Sequence, residues 1–317
     1  MIQQRAKNKV TIIGAGFVGA TTAYSLLHQS DIEELALIDI NKKLVDSQVM
    51  DLQHSLPVLG YTEVKVGTEK DLADSGVVVF ACGCNQKIGE SRLDLVEKNA
   101  RIVKEWVPKI FTRNPNAVLV MITNPVDILT HFAVSLFPKK KNQIFGSGTI
   151  LDSMRLQFLV GEYLNVDPQS VHAYIAGEHG DSELPLWSSA AIGGQKLTTF
   201  KKFNRIKFRR LFEQARNAAY AIIEGKQATY YGIGAGAAHL VNAIVMNKKT
   251  VLPVSYYLAG EYGLKDVCLS MPAVIGENGI MEKLSLELNG EEKKLLAASA
   301  LSLKRVYRSC QKQISRS

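Results

Sequence analysis

Short runs of β-branched and other apolar residues alternate with helix-forming stretches over roughly the first 145 residues of the chain. The strong runs are residues 10–13, 35–38, 77–80 and 117–122, and 64–66 is a weaker one. Nearly continuous apolar strands separated by helices are typical of a parallel sheet that is covered on both faces. The alternation therefore predicts a doubly wound α/β domain in the first half of the chain.

The pattern changes after residues 146–148, and the second half is predicted to be α+β. Apolar periodicity predicts helices at 152–163, 203–225 and 291–309, with Asp152 placed to cap the first of them. The run 171–175 predicts a short strand. Because 317 residues exceed the usual size of one core, we expect two domains, residues 1–147 and 148–317.

Composition excludes several classes of protein. The chain is 46% apolar and 21% charged, as expected for a globular protein, and its four cysteines are too scattered for a disulfide framework. It has no long apolar run for a membrane span and no signal-peptide pattern at its start, so we expect a cytoplasmic protein without a membrane partner. The net charge of +8 and the basic stretches 139–141 and 201–210 fit a solvated face, since no nucleic-acid recognition module accompanies them.

A glycine-rich motif follows the first predicted strand and opens the first predicted helix. The segment from Gly14 to Gly19 reads GAGFVG, in which Gly14 permits a tight turn, Gly16 allows close approach of a pyrophosphate, and Gly19 allows the helix to pack on the strand. Asp39 ends the second strand, where a carboxylate hydrogen-bonds the ribose hydroxyls of NAD and repels the 2′-phosphate of NADP. The sequence therefore predicts a Rossmann dinucleotide site that prefers NAD.

Four polar clusters follow predicted strands or open the second half, where they would meet the nicotinamide ring. They are residues 82–92, which form a glycine-containing loop, 123–125, 152–155 and 177–181. Asp152 and Arg155 are three residues apart and therefore share one helix face. We expect these clusters to form one chemical site.

The segments GAGFVGA, NQKIGESRLDLVEKN, ITNPVDILT, GSGTILDSMR, GEHGDSELPLWS and QATYYGIG occur in this order along the chain. In sequence and spacing the chain resembles the lactate/malate dehydrogenase family from about residue 8 to residue 310, and within it the short bacterial L-lactate dehydrogenases. The resemblance implies an enzyme that transfers hydride reversibly between NADH and a small keto acid.

The resemblance also implies roles for the polar side chains. His179 would be the general acid and base, with Asp152 fixing its tautomer and stabilising the imidazolium. Arg155 would hold the substrate carboxylate through a bidentate contact, and Arg92 on the loop would polarise the substrate carbonyl. The expected catalytic residues are therefore His179, Asp152 and Arg92.

The remaining site residues are assigned by the same resemblance. Asn124 would donate a hydrogen bond near the carbonyl, and Thr229 would border the substrate. No metal is implied, because Cys82 and Cys84 lack partners at zinc spacing. The residues expected to hold the cofactor are Gly14, Gly16, Phe17, Val18, Gly19, Asp39, Gly83, Cys84, Thr123, Asn124 and Ser147.

Gln86 is the residue that bears most on the choice of substrate. The family has glutamine at this loop position in lactate dehydrogenases and arginine in malate dehydrogenases. A neutral glutamine accommodates the methyl group of pyruvate and leaves the second carboxylate of oxaloacetate unpaired. We therefore expect pyruvate and L-lactate as substrates. A malate or broad 2-hydroxyacid dehydrogenase and a non-catalytic NAD-binding protein are the alternatives.

Many bacterial relatives are activated by fructose 1,6-bisphosphate at a subunit interface, where they have arginine and histidine. This chain has Gln157 and His172 at the matching positions. Loss of the guanidinium removes the bidentate partner of a phosphate, so we expect weak activation or none, with at most an anion site at His172 and Gln157. The resemblance further implies a homotetramer.

Overall fold

The computed structural model describes residues 8–29, 31–84 and 92–314, without the side chains of residues 92 and 93. Six parallel strands of the first half lie side by side in the order β3-β2-β1-β4-β5-β6. Their order reverses at β1, which pairs with both β2 and β4. The predicted strands and the doubly wound sheet are confirmed. The strands are β1 (Lys9–Ile13), β2 (Glu34–Ile38), β3 (Glu63–Val66), β4 (Val77–Phe80), β5 (Val118–Met121) and β6 (Ile144–Gly146).

Four helices accompany these strands: α1 (Phe17–Gln29), α2 (Lys42–Leu59), α3 (Arg92–Arg113) and α4 (Val126–Leu136). Helix α1 was predicted from the sequence, whereas α2 and α4 were not. Helix α2 buries one narrow stripe, and α4 is buried on almost every side. Neither pattern gives the broad apolar face by which a surface helix is recognised in a sequence.

The second half contains helices α5 (Ile150–Leu164), α6 (Arg205–Lys226), α7 (Tyr231–Val245) and α8 (Gly290–Ile314). The prediction that Asp152 caps α5 is wrong. Thr149 occupies the cap position, without a capping side-chain hydrogen bond, and Asp152 lies inside the first turn. Its carboxylate is used instead in two side-chain contacts that belong to the candidate site.

The predicted strand over 171–175 is in fact two short strands, β7 (Val171–His172) and β8 (Ile175–Ala176), which belong to different sheets. Strand β7 pairs with β10 (Ala191–Ile192), which pairs with β11 (Gln195–Lys196), whereas β8 pairs with β9 (Leu184–Pro185). The chain changes partners at residues 173–174, between the two strands. Such a change of partner depends on distant segments and leaves no local pattern.

Three antiparallel strands extend the first sheet to nine strands: β12 (Thr250–Ala259), β13 (Lys265–Gly276) and β14 (Gly279–Lys283). Strand β12 joins this sheet through β6, with Ser255 opposite Gly146. The two halves therefore share one sheet and one large apolar core, while a smaller core lies between α5 and α6. The domain boundary between residues 147 and 148 stays a prediction.

Within the described residues, no helix combines the length and the apolar character needed to cross a membrane.

Candidate active site

The glycine motif forms a tight turn between β1 and α1, and two of its glycines are required by contacts. Gly14 has φ +104°, and a Cβ there would lie 2.5 Å from the Cys82 nitrogen. A Cβ on Gly19 would lie 1.9 Å from the Gly14 oxygen. A Cβ on Gly16, by contrast, would meet no atom within 4 Å. The space beside Gly16, at the start of α1, is therefore open to an anion, as a pyrophosphate requires.

Asp39 lies at the carboxyl end of β2, next to this turn. One carboxylate oxygen accepts the backbone N–H of Ala15 at 2.8 Å, and the other accepts that of Asn41 at 2.8 Å. These two bonds fix the carboxylate beside the glycine turn. Each oxygen retains a lone pair, so the group remains able to accept hydrogen bonds from ribose hydroxyls.

The loops after β4 and β5 are tied together beside the same edge of the sheet. The Thr123 hydroxyl donates to the Cys82 carbonyl at 2.7 Å, and Asn99 accepts the Cys84 N–H at 2.8 Å. The Asn99 amide also donates to the Asn124 carbonyl at 3.0 Å. Sequence reasoning missed Asn99, although a polar residue within the apolar stripe of a helix is a signal for such a role.

The other residues predicted to contact the cofactor lie around this edge. Phe17 is exposed at the start of α1, Val18 is half-buried, and the Ser147 N–H donates to the Met121 carbonyl at 2.8 Å. Cys84 is exposed, whereas burial raises the pKa of the Cys82 thiol to about 12 and keeps it neutral. The open turn, the fixed carboxylate and the braced loops together fit a dinucleotide such as NAD.

His179, Asp152 and Arg155 form the centre of the candidate site. The His179 Nδ1 atom lies 2.6 Å from one Asp152 oxygen, and the Arg155 guanidinium donates to the other oxygen at 3.0 Å. Asp152 is buried, while His179 and Arg155 are partly exposed. The predicted Asp–Arg pair on one helix face is present, and the structure adds the histidine to it.

The electrostatics of this centre favour a protonated imidazole. Burial alone would lower the pKa of His179, but the negative charge and hydrogen bond of Asp152 raise it to about 9. Burial likewise opposes ionisation of Asp152, yet His179 and Arg155 hold the pKa of its carboxyl below the ordinary value. These contacts favour an imidazolium–carboxylate pair at neutral pH, as a proton donor requires.

A second carboxyl supports the backbone of His179. Asp127, in the first turn of α4, is buried, and one of its oxygens accepts the His179 N–H at 2.8 Å. Its other oxygen has no hydrogen-bond partner among the described residues. Burial raises the pKa of Asp127 to about 6, although the nearby Ser255 hydroxyl and the His179 N–H act to lower it. The sequence did not predict this residue, although it lies three positions after Asn124.

A third carboxyl, that of Glu183, also lies at the centre. Asp152, His179 and Glu183 each place a nitrogen or oxygen within 4.8 Å of the other two. Both oxygens of Asp152 already contact a cation, Arg155 or His179, so the arrangement fits a shared proton better than a metal ion. The absence of a metal nevertheless stays a prediction.

The remaining predicted residues are less constrained. Asn124 is exposed at the edge of the sheet, and Thr229 is half-buried in the segment between α6 and α7. Gln86 and the side chain of Arg92 lie outside the described residues. At the predicted anion site, His172 is exposed, whereas the Gln157 amide donates to the Ala173 carbonyl at 3.2 Å.

The chain belongs to the lactate/malate dehydrogenase family. The NAD binding domain of the family matches residues 8–146, and its alpha/beta C-terminal domain matches residues 149–313. The expected fold class, oxidoreductase class and NAD cofactor are thereby confirmed.

Individual relatives cover nearly the whole chain. An L-lactate dehydrogenase of Acetivibrio thermocellus is 44% identical over 97% of this chain and 99% of its own length. L-lactate dehydrogenase 1 of Peribacillus psychrosaccharolyticus is 46% identical over 96% and 98% of the two chains. The crystal structure of the minor L-lactate dehydrogenase of Enterococcus mundtii has a TM-score of 0.91 and 38% identity, and it covers 96% of this chain and 99% of that one.

Proposed function

We propose that the chain is an NAD-dependent L-lactate dehydrogenase, which reduces pyruvate to L-lactate with NADH and a proton and catalyses the reverse reaction. The observation that carries this proposal is the contact of His179 and Arg155 with the two oxygens of Asp152. One side chain is thereby prepared to give a proton and another to hold an anion, side by side. The names of the full-length relatives support the same reaction.

Each residue of the centre has a defined task. Because Asp152 holds Nδ1 of His179, the opposite ring nitrogen, Nε2, delivers the proton to the keto oxygen and removes it in lactate oxidation. Arg155 binds the substrate carboxylate, and Asn124 and Thr229 line the substrate. NADH, when bound, supplies the hydride. Asp152 stabilises the imidazolium before transfer and keeps the ring oriented afterwards.

We assign the preference for one keto acid substrate over another to the loop that carries Gln86 and Arg92. Arg92 would polarise the carbonyl, and Gln86 would leave the second carboxylate of oxaloacetate unpaired. We expect kcat/KM for pyruvate to exceed that for oxaloacetate by at least about a hundredfold, equivalent to roughly 2.7 kcal/mol. Gln86→Arg should invert this preference, and NADH oxidation with each keto acid measures it. A wild-type enzyme that prefers oxaloacetate would establish the malate alternative instead.

The setting and regulation of the enzyme follow from the same proposal. We assign it to the cytoplasm, to glycolysis and fermentation, and to a homotetramer with isologous interfaces. The Gln157 amide already binds a backbone carbonyl, so fructose 1,6-bisphosphate should change the pyruvate saturation curve little. Strong activation in the same assay would show that an effector site exists despite Gln157.

A further inference from the structure

Glu183 is a buried carboxyl beside the proton-transferring pair, and the mechanism above gives it no task. It lies in the turn between His179 and β9 and is only 6% exposed. Its Oε1 atom has no hydrogen-bond partner among the described residues. A buried acid without such a partner has a large desolvation cost when it ionises.

Charged groups on three elements face Glu183. Asp152 and Arg155 project from α5, His179 from the turn itself, and Arg216 from α6. Arg216 is half-buried, and its guanidinium also lies over the Phe212 ring at 5.5 Å. None of these cations forms an ion pair with Glu183 within the described part of the chain.

The surroundings of the Asp152 and Glu183 carboxyls decide which of the two is ionised. Asp152 has two cationic partners at hydrogen-bond distance, whereas Glu183 lies within 4.8 Å of the Asp152 carboxylate and His179. Two neighbouring carboxylates in a dry site do not both ionise easily. Asp152 therefore keeps its negative charge, and burial with the charge of Asp152 raises the pKa of Glu183 to about 8.

We propose that Glu183 is a positioning residue that acts through the Asp152–His179 pair: it is a neutral carboxylic acid at neutral pH, and when it loses its proton, the new buried charge makes His179 hold its own proton more tightly. This inference rests on the proposed dehydrogenase reaction, and it assigns to that reaction a second proton-binding group that never touches the substrate.

The direction of the effect differs between the two reactions. Pyruvate reduction consumes the His179 proton, so an ionised Glu183 keeps the imidazolium present at higher pH and extends reduction into the alkaline range. Lactate oxidation begins with neutral His179, so the same charge delays its rise with pH. Asp127 also acts on His179, but its own pKa of about 6 leaves its charge constant across this range.

The test is the pH dependence of kcat/KM in both directions for Glu183→Gln, which keeps the shape of the side chain and removes its charge. The alkaline limb of pyruvate reduction and the onset of lactate oxidation should both move down by about one pH unit. Glu162→Gln is the matched control, because Glu162 is an exposed glutamate in the last turn of α5. Its profiles should coincide with those of the wild-type enzyme. Unchanged profiles in a folded, NADH-binding Glu183→Gln enzyme would overturn the proposal.

A second measurement needs neither turnover nor the glutamine variant to fold. Infrared titration of the wild-type enzyme should show a carboxylic acid band that disappears between pH 7 and 9, above the range in which Asp127 ionises. The band should shift in Glu183→Asp. Absence of such a band overturns the role of Glu183 even if the enzyme reduces pyruvate well. Failure of the wild-type enzyme to reduce pyruvate, by contrast, overturns the proposed function.

Discussion

Two buried clusters of charge in the described part of the chain are built in opposite ways. In the first half, Lys9 and Lys65 each contact both Glu34 and Asp71 at 2.5–3.2 Å. In the second half, Asp152, Asp127 and Glu183 lie near His179, and of the three carboxyls only Asp152 contacts a cationic side chain within the described residues. In the first cluster both buried carboxylates are paired directly with lysines, and Lys9 also contacts the exposed Asp74 at 2.7 Å. In the second cluster two of the three carboxyls have no such pair.

The difference in direct pairing appears in the ionisation of the acids. Burial would raise the pKa of Glu34 and Asp71, but the two lysines hold both below their ordinary values. Burial is not compensated at Asp127 and Glu183, and it raises the pKa of their carboxyls to about 6 and about 8. Groups that titrate near neutral pH are typical of functional sites. The comparison indicates that the first cluster stabilises the sheet and the second moves protons.

The largest expected effect comes from the proton donor itself. His179→Ala should reduce kcat for pyruvate reduction by at least about 10²–10⁴-fold, the usual contribution of a general acid. NADH binding, measured by fluorescence titration, should change little because the glycine turn is separate from His179. His54→Ala, at an exposed histidine of α2, is the control. Retained turnover in His179→Ala would mean that another group donates the proton.

A change in the cluster around Lys9 and Lys65 should affect stability and leave catalysis unchanged. Lys9 is only 3% exposed, and Lys9→Met leaves Glu34 and Asp71 with Lys65 as their shared partner. The free energy of unfolding should fall by about 3 kcal/mol, as expected when one member of a buried ionic group is removed. Denaturant titration measures this loss, and Lys70→Met, at an exposed lysine, should lose little. A fall in kcat of the folded variant would contradict the separation of roles.

The sequence predicts the first half of the fold well because its information is local. Strands β1, β2, β4 and β5 each contain a largely apolar run, and GAGFVG marks the turn between β1 and α1. Strand β3 reads EVKV and gives a weaker pattern, and the three-residue β6 was not predicted. The joining of β12 to β6 pairs Ser255 with Gly146, which are far apart in the chain. No periodicity encodes such a contact, so the continuation of the sheet into the second half was not predicted.

The residues of the candidate site also divide into those that local sequence patterns reveal and those that they do not. Asp152, Arg155 and His179 belong to polar motifs that are visible in the sequence, and the family resemblance implies their roles. Asp127 and Glu183 were missed because their roles depend on burial, and burial of a carboxyl is decided by elements that pack from elsewhere. The local signal for Glu183 is weak: it is an acid directly before the apolar segment LPLW.

The smallest expected effect is also the most direct comparison of the two clusters, because the pH dependence of stability should have opposite signs in them. The folded-state pKa of Glu34 is lowered, so its contribution is present above its unfolded pKa and is lost as the pH falls through the folded value. The loss of unfolding free energy that Glu34→Gln causes relative to wild type should therefore be largest at pH 7 and become smaller below about pH 4.5.

The folded-state pKa of Glu183 is raised, so the folded chain binds more protons than the unfolded chain between about pH 4.5 and 8, and stability falls as the pH rises through this window. Glu183→Gln lacks this group and should gain stability relative to wild type from pH 5 to pH 8, by at least about 1.4 kcal/mol, the equivalent of one pKa unit. Denaturant titrations at several pH values measure both differences. Slopes of the same sign would show that Glu183 is paired in the folded protein much as Glu34 is, and the contrast between the two clusters would be wrong.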